Sequence, residues 1–144
     1  MDGRVFNHFM KEIINKDFDI WNKKKKDIDR INTFPEFHER EIWFVTLGLN
    51  IGFEEDGKGE DFLRPILILR KFSKQVFYGL PLTSTIKENN KFYFILKNHG
   101  LKNGSVILSQ MRLIDVKRLS YRIGSVGEKE FKELKEKLKD LLIL

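Results

Sequence analysis

The chain has no cysteine, and only three histidines and three prolines among its 144 residues. Without thiols it forms neither disulfides nor thiolate metal sites, so a reducing compartment suits it. His8, His38 and His99 are scattered and give no zinc-type spacing, and no metal or other cofactor is expected. Paired-histidine acid–base chemistry would need the fold to bring two of them together. Long apolar runs are missing too. Nothing approaches the ~18 residues of a membrane span, and Met1-Asp2-Gly3-Arg4 leads into mixed charge instead of a signal-peptide core. A soluble cytoplasmic protein, away from membranes, is the expectation. The length excludes two large domains and allows one with a modest core plus an appendage.

What the chain has is positive charge, unevenly spread. The formal net charge is +6 and the pI near 9.5. Residues 1–40 and 123–144 are nearly balanced, residues 41–63 hold 1 basic against 6 acidic side chains, and residues 64–122 hold 12 basic against 2 acidic. That last segment carries Phe72, Phe77, Tyr78, Phe92, Tyr93, Phe94 and Tyr121. Interleaved cations and aromatics supply phosphate neutralisation and base stacking for single-stranded nucleic acid. Strands with aromatics inside and lysines outside have the same composition, so both readings stand at this point.

Residues 4–31 carry apolar side chains at spacings near three, four and seven (Phe6, Phe9, Met10, Ile13, Ile14, Trp21, Ile28, Ile31), which predicts a helix. Its Lys23-Lys24-Lys25-Lys26 run is flanked by aspartates and reads as a solvated face. Asn32-Thr33-Phe34-Pro35 breaks the pattern. The chain therefore divides into a helical extension, 1–34, and a second domain, 35–144. Strands are predicted at 42–47, 66–69, 75–82, 91–97, 105–108 and 111–116, with a long glycine-bearing acidic loop over 48–63. Turn signals stand at Glu88-Asn89-Asn90 and Lys102-Asn103-Gly104. Short connections favour an antiparallel meander curling into a small barrel. A last helix has Ser125 and Glu128 at capping-box spacing and a stripe of Phe131, Leu134, Leu138, Leu141 and Leu142.

Two side chains fall at strand ends, where a rigid sheet can hold them at the rim of one cleft: Arg64 before an apolar run, and Thr83 closing Pro81-Leu82-Thr83-Ser84. A guanidinium fork matches phosphate oxygens and a threonine hydroxyl donates to the same group. A phosphodiester suits the pair. Ser84, Lys87, Gln110 and Arg112 are the neighbouring RNA-binding candidates; strand-end capping and barrel hydrogen bonds suit Ser84 and Gln110 as well.

Residues 40–142 resemble the MazF/PemK family of toxin endoribonucleases. The likeness rests on ordered pieces: Arg40-Glu41-Ile42-Trp43, Gly52-Phe53-Glu54, Arg64-Pro65 before an apolar strand, Pro81-Leu82-Thr83-Ser84, Gln110-Met111-Arg112, Arg118-Leu119 and Arg122-Ile123-Gly124. The resemblance implies an α+β fold, a small SH3-like antiparallel β-barrel of the CcdB/PemK type with a C-terminal helix. It implies a homodimer that cuts single-stranded RNA without metal and is controlled by a cognate acidic antitoxin. The family's catalytic arginine and threonine correspond to Arg64 and Thr83, and its loop glutamate to Glu54. Two features depart from the pattern: Ser109 stands where many members have an acid, and the N-terminal helix is extra. Metal-free cleavage requires the ribose 2′-hydroxyl to attack its own phosphorus, with a base to take its proton, for which Glu54 is the candidate, and a cation to hold the developing charge. The same scaffold also serves toxins that poison DNA gyrase by protein contact, and a binding module without RNA chemistry remains the alternative.

Overall fold

The structure, a computed structural model, describes residues 16–97 and 104–143. Helix α1 spans Phe18–Asp29. The strands are β1 (Glu41–Thr46), β2 (Leu63–Lys71), β3 (Val76–Thr83), β4 (Tyr93–Leu96), β5 (Gly104–Ile107), β6 (Arg112–Asp115) and β7 (Leu119–Ser125), and helix α2 spans Glu128–Leu141. Single 3-10 turns, Leu108–Gln110 and Val116–Arg118, join β5 to β6 and β6 to β7.

The result is an α+β fold on one antiparallel seven-stranded sheet, but not a meander. Its order is β4-β5-β3-β2-β1-β7, with β6 also paired to β3. Strand β3 changes partner along its length: Val76 to Gly79 pair with β6, and Leu82 and Thr83 with β5. Pro81 sits between these two ladders, and Pro65 lies where β2 pairs with β1 just before its ladder with β3 begins at Ile66. Both prolines thus occupy places where a missing N–H removes little pairing.

Consecutive residues of β2 enter different cores. Leu67 and Leu69 join Ile42, Leu80 and Leu82 under Phe131, Leu134 and Leu138 of α2. Ile66 and Ile68 join Trp43, Val45, Phe77, Ile114 of β6 and Leu119 of β7. Burial on both faces explains why Ile66-Leu67-Ile68-Leu69 is an unbroken apolar run and does not alternate with polar residues. Strands β6 and β7 contribute Ile114 and Leu119 to the second core, which holds no residue of α2.

Several expectations are corrected. Within the described residues the first helix begins at Phe18, capped by the Asp17 carboxylate, which accepts from Ile20 N–H at 3.0 Å. Its predicted residues 4–15 lie outside the described residues, as do His8, His99 and most of the 102–104 turn. Strand β7 was not predicted: Ser120, Tyr121 and Arg122 face outward, so it lacks a long apolar signal. The capping box does not form. Ser125 stays paired with Glu41, Val126 N–H donates to Arg40 O at 2.8 Å, and Gly127 becomes the N-cap without a side-chain bond. The sheet holds Ser125 more firmly than the helix end could. Of the seven aromatics in the basic segment only Phe77 is buried, with Phe72 packed edge-on against Tyr78 outside the sheet. Trp21 and Trp43 are buried.

Candidate functional site

The β2–β3 register Leu67↔Leu80 and Ile66↔Pro81 ends two residues short of Arg64 and Thr83, which lie on neighbouring strands, Arg64 paired with Val45 of β1. Arg64 confirms the closeness by donating from Nη1 to Leu82 O at 3.1 Å. Thr83 lies in register with Ser105 of β5, and its hydroxyl oxygen accepts from Thr85 N–H at 3.3 Å. The Arg64 guanidinium thus reaches the backbone beside Thr83 at the end of the β2–β3 ladder.

Residues 47–62 return to the same place. The Glu55 carboxylate pairs with Arg64 Nη2 at 2.9 Å, and Arg64 Nε donates to Asp56 O. Glu55 is itself braced from both sides: its N–H donates to Gln110 Oε1 at 2.8 Å and its carbonyl accepts from Asn50 Nδ2 at 2.8 Å. Gln110 Nε2 also donates to Phe53 O at 2.8 Å. The loop expected to be long and flexible is tied down at its acidic centre.

Beside it opens a cleft of about 670 Å³ that includes Phe53, Glu54, Glu55, Gln110 and Arg112 in its walls. Glu54 is exposed there and accepts from Ile51 N–H at 3.0 Å, an intraloop cap. Burial lowers the pKa of the Arg112 guanidinium from its ordinary value, with the nearby Glu54 charge opposing that shift. Arg118 is lowered chiefly by burial and next by Arg112, while Asp115 opposes the change. Phe53, 90 % exposed, stands at the cleft mouth.

The structure therefore sets the Arg64 guanidinium on the backbone next to Thr83 and gathers Glu54, Gln110 and Arg112 about the adjoining cleft. Ser84 and Lys87 lie apart from that cleft on the exposed turn after β3; Lys87 N–H donates to the buried Ser105 hydroxyl at 3.2 Å and its ammonium lies 5.9 Å from the Tyr93 ring centre. Among the described residues there is no cluster of three histidine or carboxylate groups suited to a metal. Sequence reasoning missed Glu55. One acidic residue in a run of several gives no sign of which carboxylate turns inward.

With this geometry in view, comparison with known proteins is decisive at the family level. The model for the PemK-like, MazF-like toxins of type II toxin–antitoxin systems matches residues 38–142. The chain belongs to that family. Among solved structures, the Mycobacterium tuberculosis toxin MazF-mt6 superposes with a TM-score of 0.55 at 20% identity, covering 70% of this chain and 94% of its own. MazF from Deinococcus radiodurans gives 0.58 at 19%, covering 77% and 98%. A mycobacterial endoribonuclease in complex with its cognate antitoxin gives 0.55 at 14%, covering 75% and 94%. At these identities the likeness establishes the fold. A search of curated protein sequences found no significant match. Within this MazF/PemK-like toxin, residues before 38 fall outside the family match, and α1 is among them.

Proposed function

We propose that this toxin is a metal-independent endoribonuclease that cuts single-stranded RNA in the cytoplasm, as a homodimer restrained by an acidic antitoxin. The observation that carries the reading is the Arg64 guanidinium hydrogen-bonded to Leu82 O, next to Thr83, at the end of the β2–β3 ladder. The solved relatives described as endoribonucleases, one of them with its antitoxin, support it.

In the proposed reaction the 2′-hydroxyl attacks the adjacent phosphorus, the bond from phosphorus to the 5′-oxygen breaks and that oxygen takes a proton from water, leaving a 2′,3′-cyclic phosphate and a 5′-hydroxyl. Arg64 neutralises charge on the non-bridging oxygens, and Thr83 donates to one of them. Arginine stays protonated near neutral pH, so its role is electrostatic. Glu54, exposed in the cleft, takes the 2′-hydroxyl proton. Gln110 and Arg112 line the RNA track, with Ser84 and Lys87 at its outer end. Residues 35–144 form the catalytic domain and 1–34 an extension. Exposed Tyr78 and Leu113, paired across β3 and β6 with Phe72 alongside, offer an apolar face to a second copy.

The test is cleavage of a single-stranded RNA in excess EDTA. Activity should persist, the product should carry a cyclic phosphate, and 2′-deoxyribose at the scissile position should block it. Arg64→Ala and Thr83→Ala should each slow cleavage roughly ten-fold to a thousand-fold, the range for losing one preorganised donor. Cutting of the deoxy substrate, loss of activity with EDTA, or unchanged rates in either variant would overturn the proposal.

A further inference from the structure

The helix that lies outside the family match packs on the Val116–Arg118 turn, where Lys117 Nζ donates to Asp29 O at 2.9 Å and the Arg118 guanidinium lies 5.8 Å from the Trp21 ring centre, and it also reaches the acidic loop. Trp21 of α1 is buried with its indole on Gly48, so closely that a Cβ there would stand 2.1 Å from the ring. The same indole meets Phe62 edge-on, with ring centres 5.3 Å apart. One side chain therefore grips both the entry and the exit of the loop. Just before the helix, Lys16 reaches the loop's middle: its ammonium lies 2.9 Å from the Asp56 carboxylate and donates to Asn50 O at 2.9 Å and Gly52 O at 3.3 Å. Lys24 adds a pair with Asp61 at 3.2 Å. Of the four-lysine run it is the half-buried member; the other three are exposed.

These anchors matter because of what the loop does next. Asp56, held by Lys16, also accepts from Asn50 N–H, and Asn50 holds the Glu55 carbonyl. Glu55 then carries its carboxylate to Arg64. A continuous chain of contacts runs from α1, through the loop, to the guanidinium proposed to bind phosphate. Arg64 Nε, Nη1 and Nη2 all have protein partners in this state.

We propose that α1 is a latch: it holds the acidic loop closed so that Glu55 occupies Arg64 as an internal anion, and RNA gains the site by displacing it. This rests on reading Arg64 as a phosphate-binding group. A closed state that excludes the ligand weakens apparent affinity by the fraction of molecules that are open. Loosening the latch therefore strengthens RNA binding, although nothing in α1 would touch RNA.

The test uses full-length Trp21→Ala, Lys16→Ala and Glu55→Gln. Two readouts need no RNA: amide hydrogen exchange across 47–63, and the rate at which phenylglyoxal modifies Arg64, followed by peptide mass spectrometry. Lys16→Ala and Trp21→Ala should raise both about three-fold to ten-fold, as expected when local opening becomes easier by about 1 kcal/mol. Exchange at Leu80 and Leu134 should stay slow, showing an intact core. Glu55→Gln, which removes the internal anion itself, should raise Arg64 modification by a similar factor. All three should bind a single-stranded 2′-O-methyl oligoribonucleotide more tightly than the parent by a similar factor. Unchanged loop exchange and Arg64 reactivity in both Lys16→Ala and Trp21→Ala would overturn the latch, as would weaker oligonucleotide binding in them. Raised reactivity of Arg64 without tighter binding would uphold the latch over Arg64 and overturn the reading of that residue as the RNA contact.

Discussion

A double-mutant cycle on Arg64 and Glu55 measures how firmly the loop is closed. Their side chains are 11% and 26% exposed and meet at 2.9 Å. At an effective dielectric of about 20, unit charges that close attract by about 6 kcal/mol before solvation is counted. Most of this is offset by desolvation of both groups, and the pair lies between fully exposed pairs, worth up to about 1 kcal/mol, and buried ones, whose breakage costs about 3–5 kcal/mol. A coupling energy of about 1–2 kcal/mol follows. Glu55→Gln keeps a hydrogen-bond acceptor and loses the charge, so it should destabilise by about 1 kcal/mol. Arg64→Ala also leaves Leu82 O and Asp56 O without their donor, and should cost about 2–3 kcal/mol. The double variant should fall short of the sum by the coupling. Urea unfolding of the four proteins at low salt gives the values, and a coupling below about 0.3 kcal/mol, the usual error of additivity, would refute the closed-loop energetics.

Three more outcomes are expected. Gly48→Ala should destabilise the protein by about 2 kcal/mol or more, because φ is +81° there and Trp21 occupies the space; urea midpoints and a red shift of tryptophan emission would register it, and a parent-like variant would contradict the packing. Leu134→Ala removes a fully buried side chain beneath the sheet and should cost about 2–5 kcal/mol in unfolding free energy without changing the loop's exchange. RNA and an acidic antitoxin segment should compete, and both should bind more weakly as salt rises; a ternary complex with undiminished RNA affinity in a titration would refute a shared site.

The architecture was legible wherever burial imposed a repeat. The stripe Phe131, Leu134, Leu138 foretold α2 and its buried face, and the unbroken run Ile66 to Leu69 foretold a strand, which the fold covers on both sides. β7 was illegible because three of its residues face solvent while its order comes from pairing with β1. The capping box at Ser125 failed for a related reason: a local side-chain bond competes poorly with a sheet ladder already anchored elsewhere. Arg64 and Thr83 could be found since strand ends and prolines mark their positions. Glu55 could not, because which loop carboxylate turns toward Arg64 is decided by Asn50 and Gln110, one 5 and the other 55 residues away.

The segment charges acquire a physical meaning from that arrangement. An acidic stretch next to a strongly basic one looks, in sequence, like an obstacle to binding a polyanion. In the fold the two are complementary, since a guanidinium at a strand end without an anion would leave strong donors facing a half-buried carboxylate-free space, and Glu55 satisfies one of them. Whatever anion replaces it must supply oxygens in similar geometry, which phosphate and carboxylate both do. The same exchange would therefore admit RNA to be cut and an acidic antitoxin to prevent cutting. Because α1 holds both the loop and the Val116–Arg118 turn but contributes no side chain to the cleft beside Arg64, a latch there would set how readily either exchange occurs while leaving the order of preference between the two anions to the cleft itself.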